Sequence, residues 1–469
     1  MFIGRKEELK TLSKAIKQTD NATLIYGKRR IGKTTLIKEV LNKTKTSSVY
    51  YECIKGSLQE NVDGFVRELT RTGIIKSEIS FNSLKNVFEY LNTLPQKCIV
   101  VIDEYPYLKN MADSEEVDSM FQNIIDNCLS NIHLIISGSH IGMMKDMLNE
   151  GNALYGRFLT IIRLTELNHQ DASGFYPEKS AYDKVAFYSV FGGSPFINKA
   201  LDKRKSLKEN IVNTILNTNS QIHLYAGHLL LSDYSLKMNA ERIFAVIGNG
   251  RKRYSDIENQ LDAKKTGNLS KQIKNLIDLD IINRNEPINK IGDNKKCTYE
   301  INDNLLRFYF TFVYKNTSAL AMLGPEAFYE QYVAPELNQF ISRRFEGICR
   351  SWFSMRVKTG KLKNIRNIGT YYYDDSKNHK NGEFDVAIEY DDGYGIVEVK
   401  YYQKPMKPDD IRREIRQIKE IREIQIKTIG FVSINGFDKK ESGSEYYTGE
   451  DVYCDNGEKK KVVKQNRPC

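Results

Sequence analysis

The sequence predicts an α/β protein of several domains, and three stretches carry that prediction. Near the amino terminus a glycine-bounded loop separates an apolar strand from a helix. About seventy residues later a second apolar strand ends in paired acids, and in the last third two further strands put acids and a lysine on one face.

Ala22–Thr35 reads ATLIYGKRRIGKTT. Leu24, Ile25 and Tyr26 form a buried strand that breaks at Gly27, and Gly32-Lys33-Thr34 opens a helix over Thr35–Leu41. This is the Gly-x-x-x-x-Gly-Lys-Thr phosphate-binding loop in its strand–loop–helix context. Its backbone N–H groups, from Gly27 through Lys28, Arg29, Arg30, Ile31 and Gly32 to Thr35, are expected to curl around a nucleotide phosphate at a helix amino terminus. Lys33 is expected to neutralise the β- and γ-phosphates and Thr34 to ligate Mg²⁺. ATP and Mg²⁺ are therefore the expected cofactors. Just upstream, Phe2-Ile3-Gly4-Arg5 precedes a helical pattern over Glu7–Ile16; it fits either a contact with the base or a capping turn.

A chain of 469 residues exceeds what one core supports, and its length alone suggests roughly three domains. Hydrophobic content of 40% and charged content of 28% are those of a globular protein. No apolar run approaches the ~20 residues of a membrane span, and MFIGRKEELK lacks a signal-peptide core, so no membrane partner and a cytoplasmic location are expected. Seven scattered cysteines without a C-x-x-C pair suit free thiols and argue against a zinc cluster. A net charge of +10 permits a polyanion partner without demanding one.

Cys98–Tyr107 reads CIVVIDEYPY. Ile99–Ile102 is the wholly apolar run of a central parallel strand, with Asp103-Glu104 at its carboxyl end, the edge where ligands of open α/β sheets bind. Asp103 is placed to hold Mg²⁺ through water, and Glu104 to polarise the attacking water. A third strand, His133–Ser137, ends in Ser137, a polar group within expected reach of the γ-phosphate. Arg157, in Leu154-Tyr155-Gly156-Arg157, fits either an arginine finger or a solvated surface charge.

From Asn168 the pattern turns helical, broken by a sharp bend at Gly192-Gly193-Ser194-Pro195. A unit of about seventy residues follows: helices Ala240–Ile247, Tyr254–Leu261 and Leu269–Leu279, then Ile281-Ile282 and Thr298–Ile301 flanking the loop Asn289–Lys296. Three helices and a β-ribbon describe a winged helix. Lys271, Lys274, Lys264-Lys265 and Arg251-Lys252-Arg253 fit either DNA phosphates or a solvated face, and winged helices also dock proteins.

In the last third, Gly382–Tyr390 and Gly395–Tyr402 read as a hairpin across Asp391–Tyr394. Glu398 and Lys400 share one face of the second strand, and with a four-residue loop Asp385 falls opposite Lys400 on that face. An amphipathic helix, Asp409–Ile421, follows. The bland reading is an amphipathic hairpin with its charges outward.

The set Asp385, Glu398, Val399 and Lys400 resembles the PD-(D/E)XK nuclease core, in which two carboxylates hold Mg²⁺ and the lysine orients or deprotonates water; Glu346 on a preceding helix matches that core's extra acid. From Phe2 to about Ser433 the chain resembles the archaeal-type STAND/AAA+ P-loop ATPases that carry a C-terminal restriction-endonuclease-like domain of unknown function. The resemblance implies a P-loop core over residues 1–167, a helical lid over 168–235, a winged helix over 236–312, a nuclease-like α/β domain over 325–450 and a basic tail over 451–469. It implies an ATPase coupled to DNA binding and Mg²⁺-dependent cleavage. The alternative is a nucleotide-operated switch whose last domain binds DNA or a protein without cutting. An Arg157 finger acting in trans would require a homo-oligomer, and the winged helix offers a second surface for a protein partner.

Overall fold

The computed structural model describes residues 2–77, 79–111, 114–232, 240–248, 250–262, 268–375, 380–421 and 424–454. They fall into two compact units, Met1–Leu167 with Ser194–Phe196, and Asn168–Gly193 with Ile197–Cys469. Lys264-Lys265 and the tail lysines Lys459–Lys461 lie outside the described residues.

The first unit is built on five parallel strands: β1 (Asn21–Tyr26), β2 (Ser47–Glu52), β3 (Cys98–Asp103), β4 (Ile132–Gly138) and β5 (Thr160–Arg163), in the order β2-β3-β4-β1-β5. Every residue of β1, β3 and β4 is buried, because helices cover both faces of the sheet. Alternate side chains feed two cores. Leu24, Val100, Ile102, Leu134 and Ile136 meet the helices Leu58–Arg71, Leu84–Thr93 and Ser114–Asn127. Ile25, Ile99, Val101 and Ile135 meet Leu12, Leu36 and Ile37 on the helices Lys6–Ala15 and Lys33–Leu41. The continuous apolar runs of β1, β3 and β4 thus reflect burial on two sides.

The second unit begins with helices over the stretch expected to form a lid. Its helix Ala181–Phe191 ends at Gly192, whose φ of 68° makes the bend. This helix is not part of a free-standing lid domain. Tyr182 stacks on Tyr401 with ring centroids 4.4 Å apart, and the Tyr401 hydroxyl donates to the Tyr182 carbonyl at 3.0 Å. The contact joins this helix to the end of β11 in the C-terminal domain.

The winged helix has the expected helices, Ala240–Ile247, Tyr254–Gln260 and Leu269–Asp278, and a sheet of three strands: β6 (Lys252–Arg253), β7 (Ile282–Asn285) and β8 (Thr298–Ile301) in the order β6-β8-β7. The short β6 adds to the expected ribbon. Leu269, Ile273 and Leu276 bury one stripe of the third helix, leaving Lys271 and Lys274 exposed.

In the C-terminal domain the long helix Ala334–Lys358 accompanies β9 (Asn367–Asp375), β10 (Lys380–Tyr390), β11 (Gly393–Lys400), β12 (Ile426–Ser433) and β13 (Glu445–Thr448), in the order β13-β12-β11-β10-β9. The hairpin β10–β11 turns on Asp391 and Asp392 alone, since Tyr390 pairs with Gly393. The loop is therefore two residues, not four. Continuing the register Val386↔Val397 by one step puts Asp385 across from Glu398 rather than Lys400. The slip is even, so Asp385 keeps its face. Residues 451–453, assigned above to a tail, complete the helix Gly449–Tyr453, which Thr448 and Asp451 cap reciprocally. Among the described residues no helix is long and apolar enough to cross a membrane.

Candidate functional site

The phosphate loop leaves β1 at the carboxyl edge of the sheet. Gly27 is required there by a close approach: a Cβ would lie 2.2 Å from the Leu164 carbonyl oxygen. Gly32, at φ 98°, turns the chain into its helix. Arg30 also sits in the left-handed region, at φ 63°, with its guanidinium 3.9 Å from the Phe196 ring centroid. Ile31 is buried in the apolar core, Arg29 donates to the Tyr107 hydroxyl at 2.9 Å, and Thr35 is exposed on the first helical turn. Arg5 ties the amino terminus to the loop, donating to the carbonyls of Thr165 at 2.5 Å and Ile31 at 3.3 Å. Phe2 packs on the same core as Ile31.

Lys33 is 5% exposed, and its ammonium donates to the loop carbonyls of Gly27 at 2.9 Å and Lys28 at 3.1 Å. Burial pushes its pKa down, against the pull of Glu104 and Asp103. A desolvated lysine resting on carbonyls gains from an arriving anion. Thr34 Oγ1 donates to Asp103 Oδ2 at 2.9 Å, so the structure brings together the two groups expected around Mg²⁺. A hydroxyl and a carboxylate at hydrogen-bond distance beside a phosphate loop fit that ion. It would balance phosphate charge.

Two neighbours of this site, Tyr50 and Ser139, had no local signature. Tyr50 of β2 also donates to Asp103 Oδ2. Glu104 stands at φ 53°, a strained conformation for a non-glycine residue, with its N–H on Asp103 Oδ1 at 2.9 Å and its Oε2 accepting from Ser139 Oγ at 2.7 Å. Ser137, expected to be the polar group at this strand end, is fully buried, and its hydroxyl has no hydrogen-bond partner among the described residues. The hydroxyl that reaches the acid is two residues on.

Arg157 is placed differently from the rest. It precedes β5, whose Thr160 pairs with Thr23 early in β1, so it lies at the amino-terminal edge of the sheet, opposite the phosphate loop. Asp126 holds it there at 2.9 Å. A role on its own chain's nucleotide is excluded by that position.

The second constellation lies in the C-terminal domain. Glu346, on Ala334–Lys358, lies beside Asp385 of β10, close enough for the two charges to interact. Burial first, then the Asp385 charge, pushes the Glu346 carboxyl up to about 8. Glu398 of β11 is also raised, chiefly by burial, but its Oε1 is held by Lys400 Nζ at 2.6 Å. Lys400 reaches Glu414 of the helix Pro408–Glu420 as well, at 3.4 Å. Sequence reading missed Glu414, although its place on the amphipathic helix after the hairpin offered a clue.

Arg251 of the winged helix enters this cluster, 3.1 Å from Glu383 and 3.8 Å from Glu346. Arg350 donates to the Asp385 carbonyl at 2.5 Å. The Arg251-Lys252-Arg253 run, read as a surface cation group, thus turns its first member inward. Among the described residues no three His, Cys, Asp or Glu side chains are gathered closely enough to hold a metal ion. Glu346, Asp385 and Glu398 do not fit a divalent cation in this arrangement, because Lys400 engages one acid and Arg251 approaches another.

The parallel order β2-β3-β4-β1-β5, with the loop after β1 and an acid ending the adjoining strand system, defines a P-loop ATPase core. Residues 2–198 match the family described as an ATPase domain predominantly from Archaea, and residues 309–418 match one described as Archaea bacterial proteins of unknown function. The chain therefore carries an archaeal-type ATPase domain followed by the C-terminal domain of that second family. It is similar to an uncharacterized protein of Methanocaldococcus jannaschii, 29% identical over 429 residues that span 89% of this chain and 91% of that protein. An uncharacterized ATP-binding protein of the same organism is 43% identical over 53 residues, 11% of this chain and 90% of that protein. Among solved structures, the Walker-type ATPase of Pyrococcus abyssi shares the fold, with a TM-score of 0.50 and 19% identity over 66% of this chain and 96% of that one.

Proposed function

We propose that the protein hydrolyses ATP with Mg²⁺ and couples that turnover to DNA through its second unit. The observation that carries the reading is the junction of Thr34 and Asp103 at 2.9 Å beside the desolvated Lys33. Lys33 receives the β- and γ-phosphates, Thr34 and Asp103 hold the ion, and Glu104 orients the attacking water. The backbone from Gly27 to Thr35 binds the phosphates. Arg157 keeps either a role in trans, on the nucleotide of a second copy, or that of a surface charge paired with Asp126.

Asp385, Glu398 and Lys400, with Glu346, are the residues a Mg²⁺-dependent cleavage reading would need, although their present arrangement does not fit the ion, and exposed Lys271 and Lys274 offer phosphate contacts. A second reading, a nucleotide-operated switch that binds DNA or a protein without cutting, is favoured by Arg251 and Lys400 occupying the carboxylates. The test is incubation of the full chain with plasmid and single-stranded DNA, in Mg²⁺ or Mn²⁺, with and without ATP. Cleavage lost in Glu398→Ala and altered in Lys33→Ala supports the coupled nuclease. ATP hydrolysis without cleavage, with salt-sensitive DNA binding, selects the switch. No hydrolysis in the wild type overturns both.

A further inference from the structure

Elsewhere in the second unit a group of arginines outnumbers its acids. It forms where the long helix Ala334–Lys358 meets the helix Asn304–Phe308, the turn Tyr309–Val313 that continues it, and the chain just after Ala240–Ile247. Together they line a cavity of about 80 Å³. Arg307 and Arg344 line it from two different helices, each 7% exposed. Both rest on the buried Glu300 of β8, at 3.4 and 3.1 Å, and Arg251 approaches the same carboxylate at 3.9 Å. Arg251 has Glu383 and Glu346 besides, 3.1 and 3.8 Å away. One carboxylate is thus left to balance two desolvated guanidinium groups.

Arg343 brings a third guanidinium to the lining. It is exposed, and among the described residues it makes no ion pair and no side-chain hydrogen bond. Its Nη1 lies 3.4 Å from where a Cβ on Gly250 would stand, so it rests against the bare backbone of a residue at φ 117°. Gln339, one turn earlier on the same helix face, adds an amide. The Thr311 hydroxyl donates to the Gly248 carbonyl at 2.6 Å and ties the end of Ala240–Ile247 to this lining. Glu336 also lines the cavity, exposed, and among the described residues it pairs with none of the three arginines. Arg344 Nε is buried with no hydrogen-bond partner among the described residues, a donor that protein interiors rarely leave unused.

We infer that this cavity receives a terminal phosphate group, held by Arg307, Arg343 and Arg344 with the Gln339 amide. Guanidinium forks match phosphate oxygens in pairs, and arginines from two helices surround a tetrahedral anion better than a planar one. A phosphate monoester brings three free oxygens and a charge of about −1.5 to −2, which answers the local excess of cations. A diester inside a strand brings two free oxygens, one charge and a bulky group on either side. The cavity admits the phosphate alone, being far smaller than the about 300 Å³ or more of pockets that enclose whole small molecules. The remainder of the ligand therefore stays outside. These residues belong to the second unit, whereas the phosphate loop belongs to the first, and the inference needs neither ATP turnover nor DNA cleavage.

The test is a calorimetric titration of inorganic phosphate into the full chain carrying Lys33→Ala, which disables the phosphate loop. Saturable binding is expected, weakened about tenfold by Arg343→Ala and about threefold by Arg343→Lys, which keeps the charge but loses the fork. Arg343 is exposed, so its replacement leaves the core intact, and Gln339→Ala, also at an exposed position, is expected to weaken binding as well. No saturable binding, or binding that the Arg343 and Gln339 variants leave unchanged, overturns the inference. A 5′-phosphorylated single-stranded oligonucleotide and its 5′-hydroxyl twin then distinguish the source of the phosphate. A preference for the phosphorylated strand that Arg343→Ala abolishes supports the site as a receptor for nucleic-acid ends. Equal binding of the two strands, with inorganic phosphate still dependent on Arg343, supports it as a receptor for a small phosphate ester.

Discussion

Tyr50 and Thr34 donate to the same oxygen, Oδ2 of Asp103. Asp103 is thereby engaged from β2 and from the first turn of the loop helix at once. Burial, then the Asp103 charge, raises the Tyr50 phenol, so it stays protonated and remains a donor. The phenol competes for the lone pairs that a hydrated Mg²⁺ would use. Tyr50→Phe is expected to lower the KM for MgATP about threefold while reducing stability by about 1 kcal/mol. Steady-state kinetics and thermal melting check both, and a raised KM would show that Tyr50 positions Asp103 instead.

The Ser139 hydroxyl on Glu104 at 2.7 Å makes a second restraint. The hydroxyl occupies a lone pair of the carboxylate that would otherwise be open to an attacking water. Ser139→Ala is expected to raise basal kcat about threefold with little change in KM. Glu104→Gln is expected to lower kcat by about a hundredfold or more while retaining ATP binding. A Ser139→Ala enzyme that loses activity would mean the hydroxyl aims Glu104 productively.

Gly27 and Gly32 separate two reasons for glycine in one motif. Gly27→Ala pushes a Cβ onto the Leu164 carbonyl and is expected to destabilise the first unit by about 1–3 kcal/mol. Gly32→Ala has room, its Cβ lying 3.7 Å from Pro195, but forces alanine to φ 98°. It is expected to cost about 1–2 kcal/mol through strain and to weaken nucleotide binding. Denaturant unfolding with and without ATP distinguishes them. Equal losses of stability and affinity in both variants would refute the distinction.

The legible features were those whose geometry is written in contiguous residues. Gly27 to Thr35 fixes its own backbone, and the apolar run before Asp103 can only be a strand buried on both faces. Ser137 and Ser139 differ by one strand repeat, and only the turn after β4 decides which hydroxyl meets Glu104. Tyr50 and Arg251 meet their acids across long stretches of chain, where spacing carries no signal. The face of Asp385 was legible because alternation survives an even register shift; its partner was not, because turn length sets register.

His169 supplies a pH dependence free of either site. Its ring is 1% exposed, edge-on to Tyr453 at 5.5 Å and Tyr188 at 6.2 Å. Burial pushes its pKa down to about 4 from 6.5, against a hydrogen bond at Val452. The unfolded chain takes up the proton near pH 6.5, whereas the native ring resists until about pH 4. Between those values the unfolded state holds more protons, so stability falls as the pH falls, by about 3 kcal/mol in full. Of this, about 2 kcal/mol is expected between pH 7.5 and pH 5. His169→Phe keeps the aromatic packing and removes the proton, so its unfolding free energy should fall less over that interval, by about that amount. Parallel pH dependences in the two proteins would show that the native ring accepts its proton without loss of structure.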